Sequence, residues 1–329
     1  MTQMKFRVVT LAALAVITTG LFSFSPARLQ AQQQTKEQTP PAKADTSDSA
    51  PIVAQVTRVN MLFSVTDKKG RFVTDLNRKD FEVFENKKPQ RILEFTSETS
   101  LPLRLAILID TSSSIRERLK FQQEAATNFV NDVMRDQDKA IVVSFDTAAE
   151  LQADLTNNTN VLEDSIRGLH AGGGTALFDA IYFACRDKLM LDQPMYAFRR
   201  AMIILSDGRD DNSRYSMQQA LEMAQRADTV IYTISTNISH IETDGDKTLQ
   251  YLAEQTGGKA YVPFQASDLN QAFQNIANEL RHQYHLFYRP NPLVADGRFH
   301  PVSIKIVAKG RKNLVVHARR GYYASKQNT

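Results

Sequence analysis

Cysteine is almost absent from this chain of 329 residues, because Cys185 is the only one. No disulfide can therefore form within the chain, and we expect Cys185 to be a buried structural thiol, since no histidine lies near it in the sequence. Acidic residues are also absent from residues 1–31, which contain Lys5, Arg7 and Arg28. Without these three, the formal net charge falls from +4 to +1. That balance excludes the strongly basic surface of nucleic-acid-binding proteins.

The first 31 residues have the pattern of a secretory signal peptide. A short basic start precedes a mostly apolar run from Val8 to Phe24, and small residues allow cleavage after Ala27 or Ala31. An uncleaved membrane anchor is the alternative, although polar residues interrupt the run and it is barely long enough to span. Residues 32–50, rich in Gln, Thr, Pro and Ser, predict a disordered spacer. We expect an exported protein, periplasmic or secreted, with no membrane span after cleavage.

The rest of the chain shows two kinds of hydrophobic pattern. Residues 51–101 alternate apolar and polar side chains, which predicts β strands, two of them around the turn ENKKP. Residues 102–282 alternate apolar runs with amphipathic segments, which predicts an α/β domain with a doubly wound, mainly parallel sheet. The predicted strands are 103–109, 140–145, 149–154, 201–206, 229–234 and 259–263. The predicted helices are near 115–135, 158–169, 177–190, 216–227, 246–256 and 268–282, the last with Asp268 as its N-cap.

Residues 283–325 again alternate apolar and polar side chains, which predicts further β strands. We predict a hairpin of strands 302–306 and 314–318 around a turn at 309–313. A single hairpin is only marginally stable in water, and residues 51–101 also have too few strands to bury a face alone. The sequence therefore predicts a smaller, discontinuous β-sandwich-like module, into which the α/β domain is inserted.

The segment LAILIDTSSSI carries the clearest functional signal. Leu103 to Ile109 is almost unbroken apolar, as expected of a buried parallel strand, and polar residues begin abruptly at Asp110. In open α/β sheets, ligands bind at the carboxyl ends of the strands. Asp110, Ser112 and Ser114 offer one carboxylate and two hydroxyls from a single turn. Such hard oxygens suit Mg²⁺ or Ca²⁺ and are poorly suited to Zn²⁺ or copper.

Two further segments could complete a metal site. AGGGTALFDA supplies Thr175 behind a glycine loop, and MIILSDGRDD supplies Asp207 at the end of another apolar strand. The pattern DxSxS alone is common in turns and helix caps, but the three segments in this order are specific. Over roughly 103–281 the chain resembles the von Willebrand factor A domain, whose metal-ion-dependent adhesion site contains DxSxS, then Thr, then Asp. Ser113 stands where that family commonly has glycine.

The resemblance implies how the site would work. Ser112, Ser114 and, in one state, Thr175 would contact the ion directly, while Asp110 and Asp207 would hold its waters. Neutral hydroxyls leave the ion under-neutralised, so it would favour a Glu or Asp carboxylate from a partner protein. We expect Mg²⁺, with Mn²⁺ or Ca²⁺ as alternatives. The resemblance also implies an antiparallel edge strand at 149–154, and the layout is similar to that of a group of exported bacterial von Willebrand-A-related proteins.

The sequence thus predicts a metal-dependent protein-binding module, adhesive or scaffolding, rather than an enzyme. A metal-dependent hydrolase is one alternative, although no G-x-S-x-G segment or identifiable histidine base accompanies Ser112 or Ser114. A structural domain whose ion only stabilises the fold is another. The glycine loop lacks the lysine of a phosphate-binding loop, and His282 and His285 lack the glutamate of a metalloprotease motif.

Overall fold

The computed structural model describes residues 58–97, 101–237, 239, 241–263 and 265–325. The predicted signal peptide and spacer lie outside these residues. Within the described part, no helix is both long and apolar enough to cross a membrane.

Within the α/β domain, strands and helices follow one another in the order that the hydrophobic pattern predicts. The strands are β1 (Val59–Thr66), β2 (Phe81–Glu85), β3 (Lys88–Gln90), β4 (Ile92–Thr96), β5 (Leu103–Asp110), β6 (Lys139–Phe145), β7 (Ala149–Thr156), β8 (Arg199–Ser206), β9 (Thr229–Ser235), β10 (Ala260–Tyr261), β11 (Tyr284–Tyr288), β12 (Phe299–Ile306), β13 (Val315–Ala318) and β14 (Gly321–Tyr323). The α-helices are α1 (Leu119–Val133), α2 (Thr159–Arg167), α3 (Leu177–Phe183), α4 (Met217–Arg226), α5 (Asp244–Thr256) and α6 (Ala266–Arg281). A π-helical turn, Ala184–Leu189, continues α3.

The central sheet has the strand order β10-β9-β8-β5-β6-β7. All its pairings are parallel except that of β7 with β6. Helices α1, α2 and α6 pack on one face of the sheet, and α3, α4 and α5 on the other. Strands β5 and β8 are therefore buried on both sides, which explains the apolar runs 105–109 and 201–205 within them. The fold is α/β and doubly wound, as predicted, with β7 as its antiparallel edge.

A second core lies between two four-stranded antiparallel sheets. Their strand orders are β13-β1-β11-β4 and β14-β12-β2-β3. The first sheet joins β1 to β11, with Phe63 opposite Tyr284, and the second joins β2 to β12, with Val83 opposite Ile304. Strands from before and after the α/β domain thus form one sandwich. The predicted discontinuous β module is confirmed.

Two local predictions were wrong. Strands 302–306 and 314–318 do not form a hairpin, because β12 pairs with β2 and β14 while β13 pairs with β1. Both strands turn their apolar side chains into the same core from opposite sheets. Asp268 is also not the N-cap of α6, since the cap is Gln265. The Asp268 carboxylate accepts a hydrogen bond from the Gln265 backbone N–H at 3.2 Å, so it supports the cap from the first turn.

Candidate functional site

Two neighbouring parallel strands bring the predicted residues to one edge of the central sheet. Asp110 is the last residue of β5, and Ser206, the last residue of β8, immediately precedes Asp207. The register pairs Ile109 with Leu205, so both strands end at the same level. Strand β5 lies between β6, which follows it through α1, and β8, which belongs to the other half of the sheet. Such a reversal of strand order opens a crevice at the carboxyl ends.

The Asp110 carboxylate is fully buried and held by two hydrogen bonds. Its Oδ1 accepts one from the Ser112 backbone N–H at 2.9 Å, and its Oδ2 accepts one from the Ser206 hydroxyl at 2.7 Å. Burial raises the pKa of Asp110, and these hydrogen bonds oppose the rise because they favour the ionised form. The negative charge of Asp207 adds to the rise. Asp110 therefore fixes the turn that carries both serines.

Ser112, Ser114 and Asp207 form a chain of oxygen atoms beside Asp110. The Ser112 and Ser114 hydroxyls are 3.0 Å apart, and the Ser114 hydroxyl lies 3.5 Å from Asp207 Oδ2. Ser112 is buried, whereas Ser114 is exposed. The structure thus brings these three side chains together from two separate strand ends. Their oxygens meet at the surface of the crevice.

The glycine loop is fastened to the Asp110 turn through its backbone. Gly172 N–H donates to the Thr111 carbonyl at 2.7 Å, and Ser113 N–H donates to the Gly173 carbonyl at 3.2 Å. Thr175 is buried, and its own N–H donates to Asp211 Oδ1 at 2.7 Å. Among the described residues, no hydrogen bond joins the Thr175 hydroxyl to the other four predicted site residues. The glycine loop is thus tied to the Asp110 turn at Gly172 and Gly173, while the backbone of Thr175 hydrogen-bonds to the loop that contains Asp211.

Ser206, which was not among the predicted site residues, connects the two strand ends. Its hydroxyl donates to Asp110 Oδ2 and accepts a hydrogen bond from Gly208 N–H at 3.0 Å. One side chain therefore orients both Asp110 and the loop that carries Asp207. The signal available was a polar residue at the last position of an apolar strand, in ILSDG. Asp211 was also missed, since its role as an acceptor for Thr175 depends on how the loops meet.

The donor set fits a hard divalent cation. The Ser114 hydroxyl lies 3.0 Å from the Ser112 hydroxyl and 3.5 Å from Asp207 Oδ2, so it stands between the other two side chains. Both oxygens of Asp110 already accept hydrogen bonds, so this carboxylate fits a role in positioning Ser112 and supplying charge. In the described ranges, no cluster of three or more His, Cys, Asp or Glu side chains could hold a metal ion. The candidate set has only two carboxylates, and hydroxyls supply its other oxygens.

The packing of His282, His285 and Cys185 indicates structural roles for all three. His282 stacks on Phe72, with ring centroids 5.5 Å apart, and its Nδ1 lies 2.6 Å from the Asn278 carbonyl. His285 lies in β11, where burial lowers its pKa. Cys185 is fully buried, and burial raises the pKa of its thiol to about 12. Such a thiol is a poor nucleophile.

A family model described as von Willebrand factor type A domain matches residues 105–279. Calcium-activated chloride channel regulator 1 of Bos taurus is 25% identical over 181 residues. That match covers 53% of this chain but only 19% of the regulator, so the chain spans less than a fifth of that relative.

Among solved structures, the chain is similar to von Willebrand factor type A from Catenulispora acidiphila, with 15% identity and a TM-score of 0.49. That match covers 70% of this chain and 68% of the other. The vWF domain of the type V pili tip protein Mfa5 from Porphyromonas gingivalis has 17% identity and a TM-score of 0.46. It covers 55% of this chain and 95% of the other.

Proposed function

We propose that this chain, which belongs to the von Willebrand factor type A family, is a protein-binding module that captures a partner's carboxylate through a divalent cation. One observation carries the proposal. The hydroxyls of Ser112 and Ser114 and the carboxylate of Asp207 meet at the carboxyl ends of β5 and β8, beside the buried Asp110. This is the place in a doubly wound sheet where ligands bind.

The residues of the site divide into two groups by charge. Ser112, Ser114 and Thr175 would hold the ion through neutral hydroxyls, while Asp110 and Asp207 would supply negative charge around it. Bound there, Mg²⁺, or in its place Mn²⁺ or Ca²⁺, would supply the positive charge that attracts an Asp or Glu side chain of the partner. Asp110 would keep Ser112 oriented through the backbone hydrogen bond, and Ser206 would keep Asp110 ionised by donating to it.

The proposed role is adhesive or scaffolding, and not enzymatic. Domains of this family bind protein partners. We propose that the protein is exported, to the periplasm or beyond, since residues 1–31 have the composition of a signal peptide. The near-neutral charge of the chain beyond that segment supports a protein partner over a nucleic acid.

The test is metal binding by the wild type and by Asp110→Asn, measured by calorimetry and by melting temperature. Asparagine keeps the size of the buried side chain, which accepts two hydrogen bonds, and removes its charge. Mg²⁺ or Mn²⁺ should stabilise the wild type, by about 2.7 kcal/mol at a hundred times Kd. The variant should respond weakly or not at all. Asp136→Asn, an exposed residue before the amino end of β6, is the matched control and should respond like the wild type.

Equal metal responses from the wild type and Asp110→Asn would contradict the assignment. Ser114→Ala gives a second test if Asp110→Asn folds poorly, because Ser114 is exposed and, among the described residues, its hydroxyl hydrogen-bonds only within the site. Partner capture from the native surface or periplasmic fraction should be lost in EDTA. Capture that persists in EDTA would favour a structural ion, and Mg²⁺-dependent turnover of an ester or phosphoester would favour a hydrolase.

A further inference from the structure

Arg209 lies directly beside one of the two carboxylates of the candidate site. Its Nε is 3.8 Å from Asp207 Oδ2, and its backbone N–H donates to Asp207 Oδ1 at 3.1 Å. The Arg209 side chain is 74% exposed, whereas that of Asp207 is only 17% exposed. A positively charged group that is free to move thus stands next to a carboxylate held in place.

The same carboxylate oxygen faces both Arg209 and the Ser114 hydroxyl. Asp207 Oδ2 lies 3.5 Å from the Ser114 hydroxyl, which belongs to the cluster that fits a cation. A cation held by Ser114 would therefore approach Asp207 Oδ2. The guanidinium of Arg209 faces the same oxygen. We propose that Arg209 competes with the divalent cation for Asp207 and so lowers the cation affinity of the site. This inference rests on the proposed function.

Charge explains the direction of the effect. The guanidinium offsets the negative charge of Asp207 and repels a second positive charge that enters beside it. Because Arg209 is mostly exposed, water and salt screen both interactions, and the side chain can move away when a cation enters. Removing its charge should therefore lower the Kd for Mg²⁺ by about threefold to tenfold, and high salt should reduce that difference.

The experiment is isothermal calorimetry of the full chain with Mg²⁺ and with Mn²⁺, at low and at high salt. The variants are Arg209→Gln, which removes the charge, and Arg209→Lys, which keeps it. Arg214→Gln is the matched control, because Arg214 is exposed on the same loop and makes no ion pair with a described residue. Melting temperatures in EDTA should be equal for all four proteins, since the Arg209 side chain is exposed.

Arg209→Gln should bind both metals more tightly than the wild type at low salt. Arg209→Lys and Arg214→Gln should stay within about twofold of the wild type. Binding by the wild type with an unchanged Kd in Arg209→Gln would overturn this inference and leave the proposed function standing. An equal gain in Arg214→Gln would also overturn it, because the effect would then be one of net charge. No binding by either the wild type or Arg209→Gln would contradict both proposals.

Discussion

Replacing Glu279 with glutamine should make the protein more stable, and the gain should depend on pH. Glu279 lies on α6 and is only 4% exposed. Its Oε1 accepts a hydrogen bond from the Ser64 hydroxyl of β1 at 2.8 Å, so it connects the α/β domain to the sandwich. Burial raises the pKa of this carboxyl from 4.5 to about 6. Compared with the unfolded chain, the folded protein therefore favours the protonated form of the Glu279 carboxyl.

The size of the effect follows from that difference in pKa. A difference of one unit between the folded and unfolded pKa of a group is worth about 1.36 kcal/mol of stability. The Glu279 carboxyl, with a pKa of 4.5 when unfolded and about 6 when folded, therefore destabilises the ionised protein by about 2 kcal/mol. Below the unfolded pKa both states are protonated, and this penalty is absent. As pH rises through 4.5 and then about 6, the penalty grows to its full value. Glutamine is neutral at every pH and avoids it.

Urea unfolding of both proteins across this pH range measures the effect. Glu279→Gln should match the wild type near about pH 4 and exceed it by about 2 kcal/mol near about pH 8. Glu254→Gln, an exposed carboxylate on α5, is the matched control and should change stability by less than about 0.5 kcal/mol at both ends. A constant difference between wild type and Glu279→Gln over the whole range would refute the argument.

Three further predictions concern packing. Gly208→Ala should destabilise the folded protein by about 2–4 kcal/mol, because φ is 77° and an added Cβ would lie 2.1 Å from the Gly245 carbonyl oxygen. Gly70→Ala, where φ is 75° and no atom lies within 4 Å of an added Cβ, should cost only about 1 kcal/mol in the same unfolding assay. Equal costs for the two variants would exclude the clash. Cys185 should resist a thiol reagent until the protein unfolds, so complete labelling of native protein would contradict its burial. Deleting all residues after Arg289 removes β13, which pairs with β1, and β12, which pairs with β2, so residues 58–97 should become sensitive to proteases. Unchanged resistance would show that they fold without these C-terminal strands.

Local patterns in the sequence determined the elements and most of the site. Apolar runs and helical periodicity identified β5, β6, β8 and β9 within one or two residues, because burial on both faces of the sheet requires such runs. The three segments of the site were recognisable because each places polar oxygens at a strand end or beside a glycine loop. These features depend on neighbours in the sequence.

Only the tertiary structure decided which distant segments meet. Residues 302–306 and 314–318 look like a hairpin in sequence, yet each pairs with a strand that precedes the α/β domain in the chain. The reason is that alternation specifies a buried face and not a partner strand. In the same way, the hydrogen bond of Ser206 with Asp110, and that of Ser64 with Glu279, depend on which strand ends and helices lie side by side. The sequence alone determined which side chains could form the site, while the pairing of β8 with β5 determined that Ser206 orients Asp110.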